Sequence, residues 1–252
     1  MNLDTAPPTP VRPLEALRAL LALRRNPQDT RQVFLLTEAL KGRSPFELLA
    51  RFRSDSQGRE RLAERRSLLP TLARTDWLAS LPEGTLGRVY HDFLAEEQLS
   101  AQGLVDVAMS AGNVQGDDGS DRFFIGCRLR DMHDLFHVLS GYGRDELGEV
   151  CVLAFSYPHQ YTRSFAAIAF FGAFNRAREL GDRRALRAVW QAYRHGRAAA
   201  WLPVQPLESL LTESLQDLRR RLGIAPPTEY FDVTDRARAR GLRIPQPPGR
   251  TL

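Results

Sequence analysis

Apolar residues recur every three or four positions along most of the chain, which is the spacing of one buried face of an α-helix. The clearest stripes are Leu14, Leu17 and Leu21 near the start, and Leu86, Val89, Tyr90 and Phe93 further along. No segment shows the sustained alternation of apolar and polar residues that is typical of a half-buried strand. The pattern predicts an all-α fold, and a chain of 252 residues is long enough for one domain with one sizeable core.

Local signals predict where two of the helices begin. The run Ser44-Pro45-Phe46-Glu47 has a serine, then a proline, then an acid three residues after the serine. That order predicts a capping box with Ser44 as the N-cap. Asp145 is predicted to be the N-cap of a later helix that carries Glu149 in its first turns.

Glycine marks two other connections. Gly84 precedes the stripe that starts at Leu86, and Gly87 lies just inside it. The two glycines indicate either a close backbone approach or a loose turn. Spacing alone favours the loose turn. Residues 110–121, which contain several glycines, serines and aspartates, predict the longest loop, with a lid or a plain solvated connection as its two interpretations.

The segment from Phe165 to Phe174 is apolar nearly all round a helix. It predicts either the central helix of the core, which is the default, or one wall of an apolar ligand tunnel. Ala166, Ala169 and Ala173 leave space along one side of this helix. A long hydrocarbon can fill that space, and so can a closely packed neighbouring helix.

The candidate chemistry lies between residues 128 and 149. His133 and His137 stand one helical turn apart on one face, and Asp134 falls beside them. If the following helix packs against theirs, Glu149 points at the same centre. Two imidazoles and two carboxylates are a ligand set for a divalent metal, so we predict a central metal-binding helix pair. The alternative is a chance or surface pair of histidines.

Composition narrows the class of protein. The chain carries a formal net charge of +5, and Lys41 is the only lysine among 35 basic residues, a bias typical of a GC-rich bacterial genome. The arginines are scattered and lack aromatic interleaving, so nucleic acid is disfavoured as a partner. Cys127 and Cys151 are too few for a disulfide framework. No stretch reaches the roughly 20 apolar residues of a membrane span, so we expect a soluble or peripheral protein.

Several motifs, taken together, resemble the coenzyme Q biosynthesis protein 4 family. They are Pro82-Glu83-Gly84-Thr85-Leu86-Gly87-Arg88 with Tyr90, the His133-Asp134-x-x-His137 motif with Glu149, Arg130, Gly141 and Leu147-Gly148, the pair Gly196-Arg197, and Arg221-Leu222-Gly223-Ile224 with Pro226-Pro227. They occur in the same order over about residues 80–230. The chain then divides into a disordered lead over 1–12, N-terminal helices over 13–75, a family-like helical core over 76–230 and a tail over 231–252.

The resemblance implies ubiquinone biosynthesis, with His133, Asp134, His137 and Glu149 as ligands of a zinc or iron ion. It implies an enzyme that replaces the ring carboxylate of a prenylated 4-hydroxybenzoate-derived intermediate with a hydroxyl, by metal-dependent oxidative decarboxylation. Arg130 and Asp134 are then the catalytic residues, with Arg130 pairing either with Asp134 or with the substrate carboxylate. Iron suits an oxidative step, because two histidines and a carboxylate are the ligands of non-haem iron oxygenases.

The resemblance also implies partners and a location. The expected partners are a polyprenylated aromatic substrate, other ubiquinone-biosynthesis proteins, a membrane surface and further copies of this chain. Because a polyprenyl substrate needs apolar cover, the resemblance favours the tunnel over the core as the interpretation of the helix over 165–174. The expected location is the bacterial cytoplasm, peripheral to the inner membrane. The alternative function is a non-catalytic scaffold that binds prenyl lipids and organises other enzymes. A metal-dependent hydrolase is disfavoured, because no glutamate follows His133 directly as a general base.

Overall fold

The computed structural model describes residues 4, 7–26, 29–101, 103 and 117–250. Within these ranges the regular structure is helical, apart from one isolated antiparallel bridge between Thr85 and Ser214. The predicted all-α, single-domain fold is confirmed. The loop predicted over 110–121 lies mostly outside the described residues, as does much of the lead predicted over 1–12.

The described residues form α-helices along most of their length. In chain order they are α1 Pro13–Arg25, α2 Thr30–Leu40, α3 Ser44–Ser54, α4 Ser56–Glu64, α5 Leu69–Leu72, α6 Thr75–Ser80, α7 Leu86–Glu96, α8 Asp121–Asp131, α9 His133–Ser140, α10 Glu146–Gln160, α11 Arg163–Glu179, α12 Arg184–Ala198, α13 Leu207–Leu210, α14 Leu215–Arg221 and α15 Thr228–Ala239. A short 3-10 helix, Leu202–Val204, lies between α12 and α13.

The main core forms around α10, which packs against α9, α11 and α12. Its largest fully buried side chains are aromatic: Tyr90, Phe136, Tyr142, Phe155 and Tyr230. Aromatic rings bury more apolar area than other side chains, so these five residues contribute much of the hydrophobic stabilisation. Cys127 and Cys151 are both free thiols, in line with the prediction of no disulfide framework.

A buried ion pair ties α8 to α13 and to the segment before it. The Arg128 guanidinium donates to the Glu208 carboxylate at 2.6 Å, and the two side chains are 1% and 2% exposed. The same guanidinium donates to the backbone carbonyls of Pro203 and Gln205. Buried charges need such partners, because neither group has water to solvate it.

The N-terminal helices differ from the predicted pattern in two ways. On α1, the stripe of Leu14, Leu17 and Leu21 is exposed, whereas Ala16 and Ala19 are buried against α2. The small alanines let the two helices approach closely, so the leucines are left on the outside. The prediction that this stripe is a buried face is wrong.

The predicted capping box at the start of α3 is also wrong. Ser44 is the first helical residue and Arg43 precedes it as N-cap with a helical backbone, at φ −89° and ψ −6°. A capping serine needs an extended backbone so that its hydroxyl can reach the free N–H groups. The Ser44 hydroxyl is buried and has no hydrogen-bond partner in the described part of the chain.

The apolar helix α11 has two different sides. Ala169 and Ala173 are buried, and a Cβ atom placed on Gly172 would lie 2.7 Å from Val150 Cγ2 on α10. The small residues therefore serve close packing of two helices rather than a tunnel. On the other side Phe170, Phe171 and Phe174 are all exposed, so the helix is not surrounded by core.

This packing predicts the effect of filling the small side of α11. Ala169→Phe should destabilise the protein by about 1 to 3 kcal/mol, because the added ring overpacks the contact with α10. The matched control is Ala95→Phe at an exposed position of α7, which should change stability by less than about 0.5 kcal/mol. Urea unfolding of both variants measures the difference. Equal stability of the two variants would show that space is available beside Ala169.

A second prediction concerns pH. His159 is buried between the rings of Phe136 and Phe155, and burial, followed by the charge of Arg51, lowers its pKa to about 3. The unfolded chain takes up a proton at His159 near pH 6.5 and the folded chain does not, so stability falls as the pH drops below 6.5. This one group should cost about 2 kcal/mol between pH 7 and pH 5.

Urea unfolding at pH 7 and pH 5 tests this in the wild type and in His159→Phe. The variant leaves the Leu202 N–H without its acceptor, so it will be less stable at both pH values. The informative quantity is therefore the loss of stability between the two pH values, which should be smaller in the variant. An unchanged loss would mean that His159 is not kept neutral by the fold.

The C-terminal residues pack against the core and are hydrogen-bonded to it, whereas the sequence predicted a tail over 231–252. α15 begins at Thr228 and crosses the boundary predicted between core and tail. Its Tyr230 hydroxyl donates to the carboxylate of Asp145. On α14, Arg219 donates to the carbonyl of Leu139 at 2.9 Å, at the end of α9, and to that of Gly249 at 3.1 Å.

Candidate metal centre

The sequence builds the site from two helices and the turn between them. α9 carries His133 and His137 one turn apart, and it ends at Gly141, whose φ of +78° suits glycine. Asp145 then caps α10, because its carboxylate accepts from the backbone N–H groups of Leu147 and Gly148. The prediction of Asp145 as N-cap is confirmed.

Gly148 sets how closely α10 lies against the turn. A Cβ atom at this position would lie 2.1 Å from the backbone oxygen of Gly143, far inside van der Waals contact. Any larger residue would therefore push α10 away from the turn. Since Glu149 is the next residue, this close approach decides where its carboxylate sits relative to α9.

The two histidines and Glu149 converge on one point. Candidate ligand atoms of His133, His137 and Glu149 all lie within 4.8 Å of one another. The Oε2 atom of Glu149 is 3.6 Å from Nε2 of His137 and 4.0 Å from Nε2 of His133. The His137 ring is fully buried, whereas the His133 and Glu149 side chains are 29% and 33% exposed. The cluster therefore has one buried side and one side open to solvent.

His137 is held in an orientation that suits a metal ligand. Its Nδ1 lies 3.0 Å from the carbonyl oxygen of Tyr142, and a carbonyl can only accept, so Nδ1 carries the hydrogen. The other ring nitrogen, Nε2, is buried and has no hydrogen-bond partner within the described residues. Phe93 stacks on the ring at a centroid distance of 5.6 Å and blocks one face. Metal-bound histidines usually donate their second N–H in this way.

Charge within the cluster favours a cation. Burial raises the pKa of Glu149, but His137, His133 and Arg144 together outweigh burial and lower the pKa to about 2. Burial lowers the pKa of His137, yet Glu149, Asp134 and the Tyr142 carbonyl together outweigh burial, and the net shift of the pKa is upward. Burial and the charge of His137 lower the pKa of His133. Glu149 is thus an anion at neutral pH, and a proton or a cation is stabilised between it and His137.

The donor set and its spacing fit a divalent metal. Two ligand atoms that each lie about 2.1 Å from one ion are at most about 4.2 Å apart. The distances of 3.6 and 4.0 Å from Glu149 to the two histidines meet this limit. Because the whole group spreads over up to 4.8 Å, a small movement of the side chains would bring all three ligand atoms to one ion. The buried, unpartnered Nε2 of His137 is the observation that a metal would explain best, because a bare acceptor in the core costs free energy.

The two other residues singled out by sequence lie differently. Asp134 is buried beside the histidines, and after burial its charge is the next cause that raises the pKa of Tyr90. It is not a member of the group within 4.8 Å, and its assignment as a ligand stays a prediction. Arg130 pairs with Asp131 at 2.8 Å rather than with Asp134. Of its two expected partners, the substrate carboxylate stays a prediction.

Sequence reasoning missed three contributors to the site. Arg144 donates to Oε1 of Glu149 at 3.3 Å and so orients the carboxylate. The carbonyl of Tyr142 fixes His137, and Phe93 comes from the distant α7. An arginine in the turn five residues before Glu149 was a readable signal. A backbone carbonyl and a ring from another helix leave no local signal in the sequence.

The fold and the site define a class: all-α proteins with a candidate metal centre between two helices that are joined by a tight turn. Within that class, the chain belongs to the family of the coenzyme Q (ubiquinone) biosynthesis protein Coq4, whose family model matches residues 11–228. The resemblance carried by the motifs is confirmed.

Relatives named as mitochondrial ubiquinone biosynthesis proteins share the family. The zebrafish Danio rerio protein is 29% identical over 216 residues, or 82% of this chain and 74% of that protein. The Homo sapiens protein is 28% identical over 202 residues, or 80% and 74%. The Aspergillus flavus protein is 28% identical over 187 residues, or 71% of this chain, and the chain spans only 60% of that protein's length.

A solved structure shares the fold. The crystal structure of a candidate ubiquinone biosynthesis protein from Nostoc punctiforme PCC 73102 matches with a TM-score of 0.63 and 21% identity, and the match covers 85% of this chain and 99% of that one. The named relatives are mitochondrial, although this structural neighbour is bacterial. This finding overturns the prediction of a bacterial cytoplasmic location, because an arginine-rich composition does not report the compartment.

Glu149 offers a direct test of the cluster. Glu149→Gln keeps the size of the side chain but removes the negative charge, so the affinity for a divalent cation should fall by more than about tenfold. The matched control is Glu146→Gln, an exposed glutamate one turn earlier on α10 that pairs with Arg176, and it should leave the affinity unchanged. Calorimetric titration with Zn²⁺ measures both. Equal affinities of wild type and Glu149→Gln would remove Glu149 from the ligand set.

Proposed function

We propose that the cluster of His133, His137 and Glu149 holds a divalent metal, and that the protein uses it in ubiquinone biosynthesis. The reaction is replacement of the ring carboxylate of a prenylated 4-hydroxybenzoate-derived intermediate by a hydroxyl. Membership of the Coq4 family supports the pathway. The single observation that best supports the metal is the buried, unpartnered Nε2 of His137, 3.6 Å from the Glu149 carboxylate.

The residues of the site have separate roles in this proposal. His133, His137 and Glu149 bind the metal, while Arg144 and the Tyr142 carbonyl hold two of those ligands in place. Iron would supply redox chemistry with dioxygen, whereas zinc would supply only Lewis-acid polarisation. The solvent-open side formed by His133 and Glu149 gives the substrate ring access.

Arg130 and Asp134 are proposed as the catalytic residues. Arg130 is partly exposed and shares its guanidinium with Asp131, which leaves donors for a substrate carboxylate. Asp134 places a further negative charge beside both histidines. The reaction oxidises the ring carbon by two electrons: the bond to the carboxyl carbon breaks, carbon dioxide leaves and one oxygen atom of dioxygen enters. A two-electron donor and two protons convert the second oxygen atom to water.

The test measures the metal first and the reaction second. Elemental analysis of protein purified without added metal identifies the ion. Protein loaded with that ion is then given a prenylated 4-hydroxybenzoate labelled with ¹³C in the carboxyl group, together with dioxygen and a two-electron donor. We expect labelled carbon dioxide and a hydroxylated ring in equal amounts, and neither from a folded His133→Ala protein. Full activity in metal-free protein would show that the reaction does not depend on a metal.

The scaffold alternative is favoured by a different observation, an exposed apolar surface. We define the phenylalanine face as the exposed apolar side chains on the packed helices α1, α2 and α11: Leu14, Leu17, Leu21, Leu35, Phe170, Phe171 and Phe174. Exposed apolar groups of this kind mark sites of contact with lipid or protein. A scaffold would use the phenylalanine face to hold prenyl lipids and other ubiquinone-biosynthesis proteins, with the metal joining α9 to α10.

A folded His133→Ala protein separates the two functions. If it keeps binding prenylated quinones and partner enzymes but forms no product, the enzyme is supported. If the wild type forms no product under any tested condition while binding prenylated quinones, the scaffold is supported instead. Loss of the fold in the variant would assign the metal a structural role.

We also propose that the phenylalanine face contacts a membrane surface. None of the helices in the described ranges is long and apolar enough to cross a bilayer. Exposed arginines share α1, α2 and α11 with the apolar residues: Arg18, Arg24, Arg25, Arg31, Arg163 and Arg178. Aromatic rings flanked by arginine suit the interface of an anionic membrane.

Vesicle flotation tests the membrane contact. The wild type should float with vesicles that contain anionic phospholipid, and the double variant Phe170→Ser with Phe174→Ser should float several-fold less. A matched control replaces Trp190, an exposed aromatic residue on α12, with serine. Self-association is the competing use of the same surface. If the double variant changes the sedimentation coefficient but not flotation, the phenylalanine face joins two copies of the chain.

A further inference from the structure

A cavity lies at the opposite end of α10 from the candidate metal centre. Its volume is about 340 Å³, and its principal walls are Arg51, Tyr157, Tyr161, Tyr193, Arg197 and Trp201. About ten residues of helix separate these walls from Glu149, which corresponds to roughly 15 Å along the helix axis. The cavity is therefore separate from the metal cluster, and the proposed function does not use it.

The cavity has the charge of an anion site. Two guanidinium groups line it and no carboxylate does. Arg51 donates to the carbonyl of Pro158 at 3.2 Å and to the hydroxyl of Tyr161 at 3.0 Å, and both acceptors are uncharged. Among the described residues, the contacts of Arg51 and Arg197 are with uncharged groups, and neither has an acidic partner. Their charges are available to a ligand.

Aromatic rings form most of the remaining wall. The Arg51 guanidinium lies over the Trp201 ring at 4.0 Å from the centroid, and over the Tyr161 ring at 5.4 Å. The Arg197 guanidinium lies 5.9 Å from the centroid of Tyr193. Stacking of this kind holds a guanidinium plane in a fixed direction while leaving its edge free to pair with an anion.

The backbone around the cavity is arranged to keep these groups in place. Tyr161 has a φ of +55°, the left-handed conformation with which α10 ends, and its backbone N–H donates to the Tyr157 carbonyl. Gly196 allows α12 to touch α10, because a Cβ atom there would lie 2.1 Å from the Phe155 carbonyl oxygen. The next residue, Arg197, is thereby brought to the cavity. Trp201 is fixed by donating its Nε1–H to the carbonyl of His159 at 2.9 Å.

We infer that this cavity binds an aromatic carboxylate. A carboxylate pairs with the free edges of the two guanidiniums, and the ring of the ligand stacks among the tyrosine and tryptophan side chains. A bare inorganic anion would use the arginines but none of the aromatic walls. A volume of about 340 Å³ is large enough for one ring and its substituents.

Benzoate is the probe for the test, and quenching of tryptophan fluorescence is the readout. We expect saturable binding of benzoate to the full-length protein, and at least about tenfold weaker binding of benzamide, which has the same shape without the charge. Arg197→Gln should weaken benzoate binding by at least about tenfold. Arg197 is exposed, so the variant keeps its fold, and Arg194→Gln on the same helix is the matched control.

Three results would overturn the inference. They are the absence of saturable benzoate binding up to about 10 mM, equal binding of benzoate and benzamide, and binding of inorganic phosphate as tight as that of benzoate. The Glu149→Gln protein should bind benzoate like the wild type, because the cavity does not depend on the metal cluster. A failure of the metal-dependent function therefore leaves this inference standing, and the reverse also holds.

Discussion

Arg128→Met is expected to destabilise the protein by about 3 to 5 kcal/mol, the usual cost of removing one partner of a buried ion pair. The variant leaves the Glu208 carboxylate, which is 2% exposed, without its cation. It also leaves the carbonyl oxygens of Pro203 and Gln205 without their donor. Urea unfolding of wild type and variant at neutral pH measures the loss.

Two further variants make this result specific. In the double variant Arg128→Met with Glu208→Leu, the orphaned charge is gone, so part of the stability should return. Arg236→Met removes an arginine from an exposed pair with Asp232 and should cost less than about 1 kcal/mol. If Arg128→Met cost no more than Arg236→Met, burial of the Arg128 pair would have no energetic consequence.

The second large effect is on metal binding. His137→Ala should lower the affinity for Zn²⁺, and for Fe²⁺ measured without oxygen, by at least about 100-fold. The reason is that the bond from Nδ1–H to the Tyr142 carbonyl fixes the His137 ring, so its Nε2 atom is the most constrained ligand atom in the cluster. Calorimetry measures the affinity, and circular dichroism reports the fold of the metal-free variant.

Two further histidine variants accompany this test: one is a control outside the cluster, and the other removes the second histidine ligand. His91→Ala removes a histidine on α7 that pairs with Asp92 and lies outside the cluster, so the affinity should stay at the wild-type level. His133→Ala removes a partly exposed ligand, so it should lower the affinity with little change in the fold. Wild-type affinity in His137→Ala would show that the cluster is not a metal site.

The sequence predicted the convergence of the cluster because the rules involved are local. Helical spacing places His133 and His137 on one face, and Asp145, as N-cap, marks the start of the helix that carries Glu149. The family resemblance added the pathway, which spacing alone cannot supply. The position of Asp134 shows the limit, since one position along a helix rotates a side chain by about 100° and can move it out of the group.

The errors arose where tertiary packing overrode a local pattern. The leucine stripe of α1 faces outward because alanines give closer contact with α2. The two glycines at the start of α7 have different causes. Gly84, before the helix, has a φ of +77° and open space around it, whereas a Cβ atom on Gly87, inside the helix, would lie 2.9 Å from the Leu211 carbonyl oxygen. A loose turn was therefore correct for Gly84 and wrong for Gly87.

If the cluster binds a metal as proposed, the contacts of the C-terminal segment couple the affinity for that metal to the docking of α15 and Gly249. Tyr230 holds the Asp145 cap of α10, and Arg219 joins Gly249 to the last turn of α9. Thermodynamic linkage is reciprocal. A partner that displaces α15 would therefore lower the affinity for the ion, and binding of the ion would stabilise the docked position of α15. A protein that binds α15, far from the cluster, would thereby change the affinity of the cluster for the proposed metal.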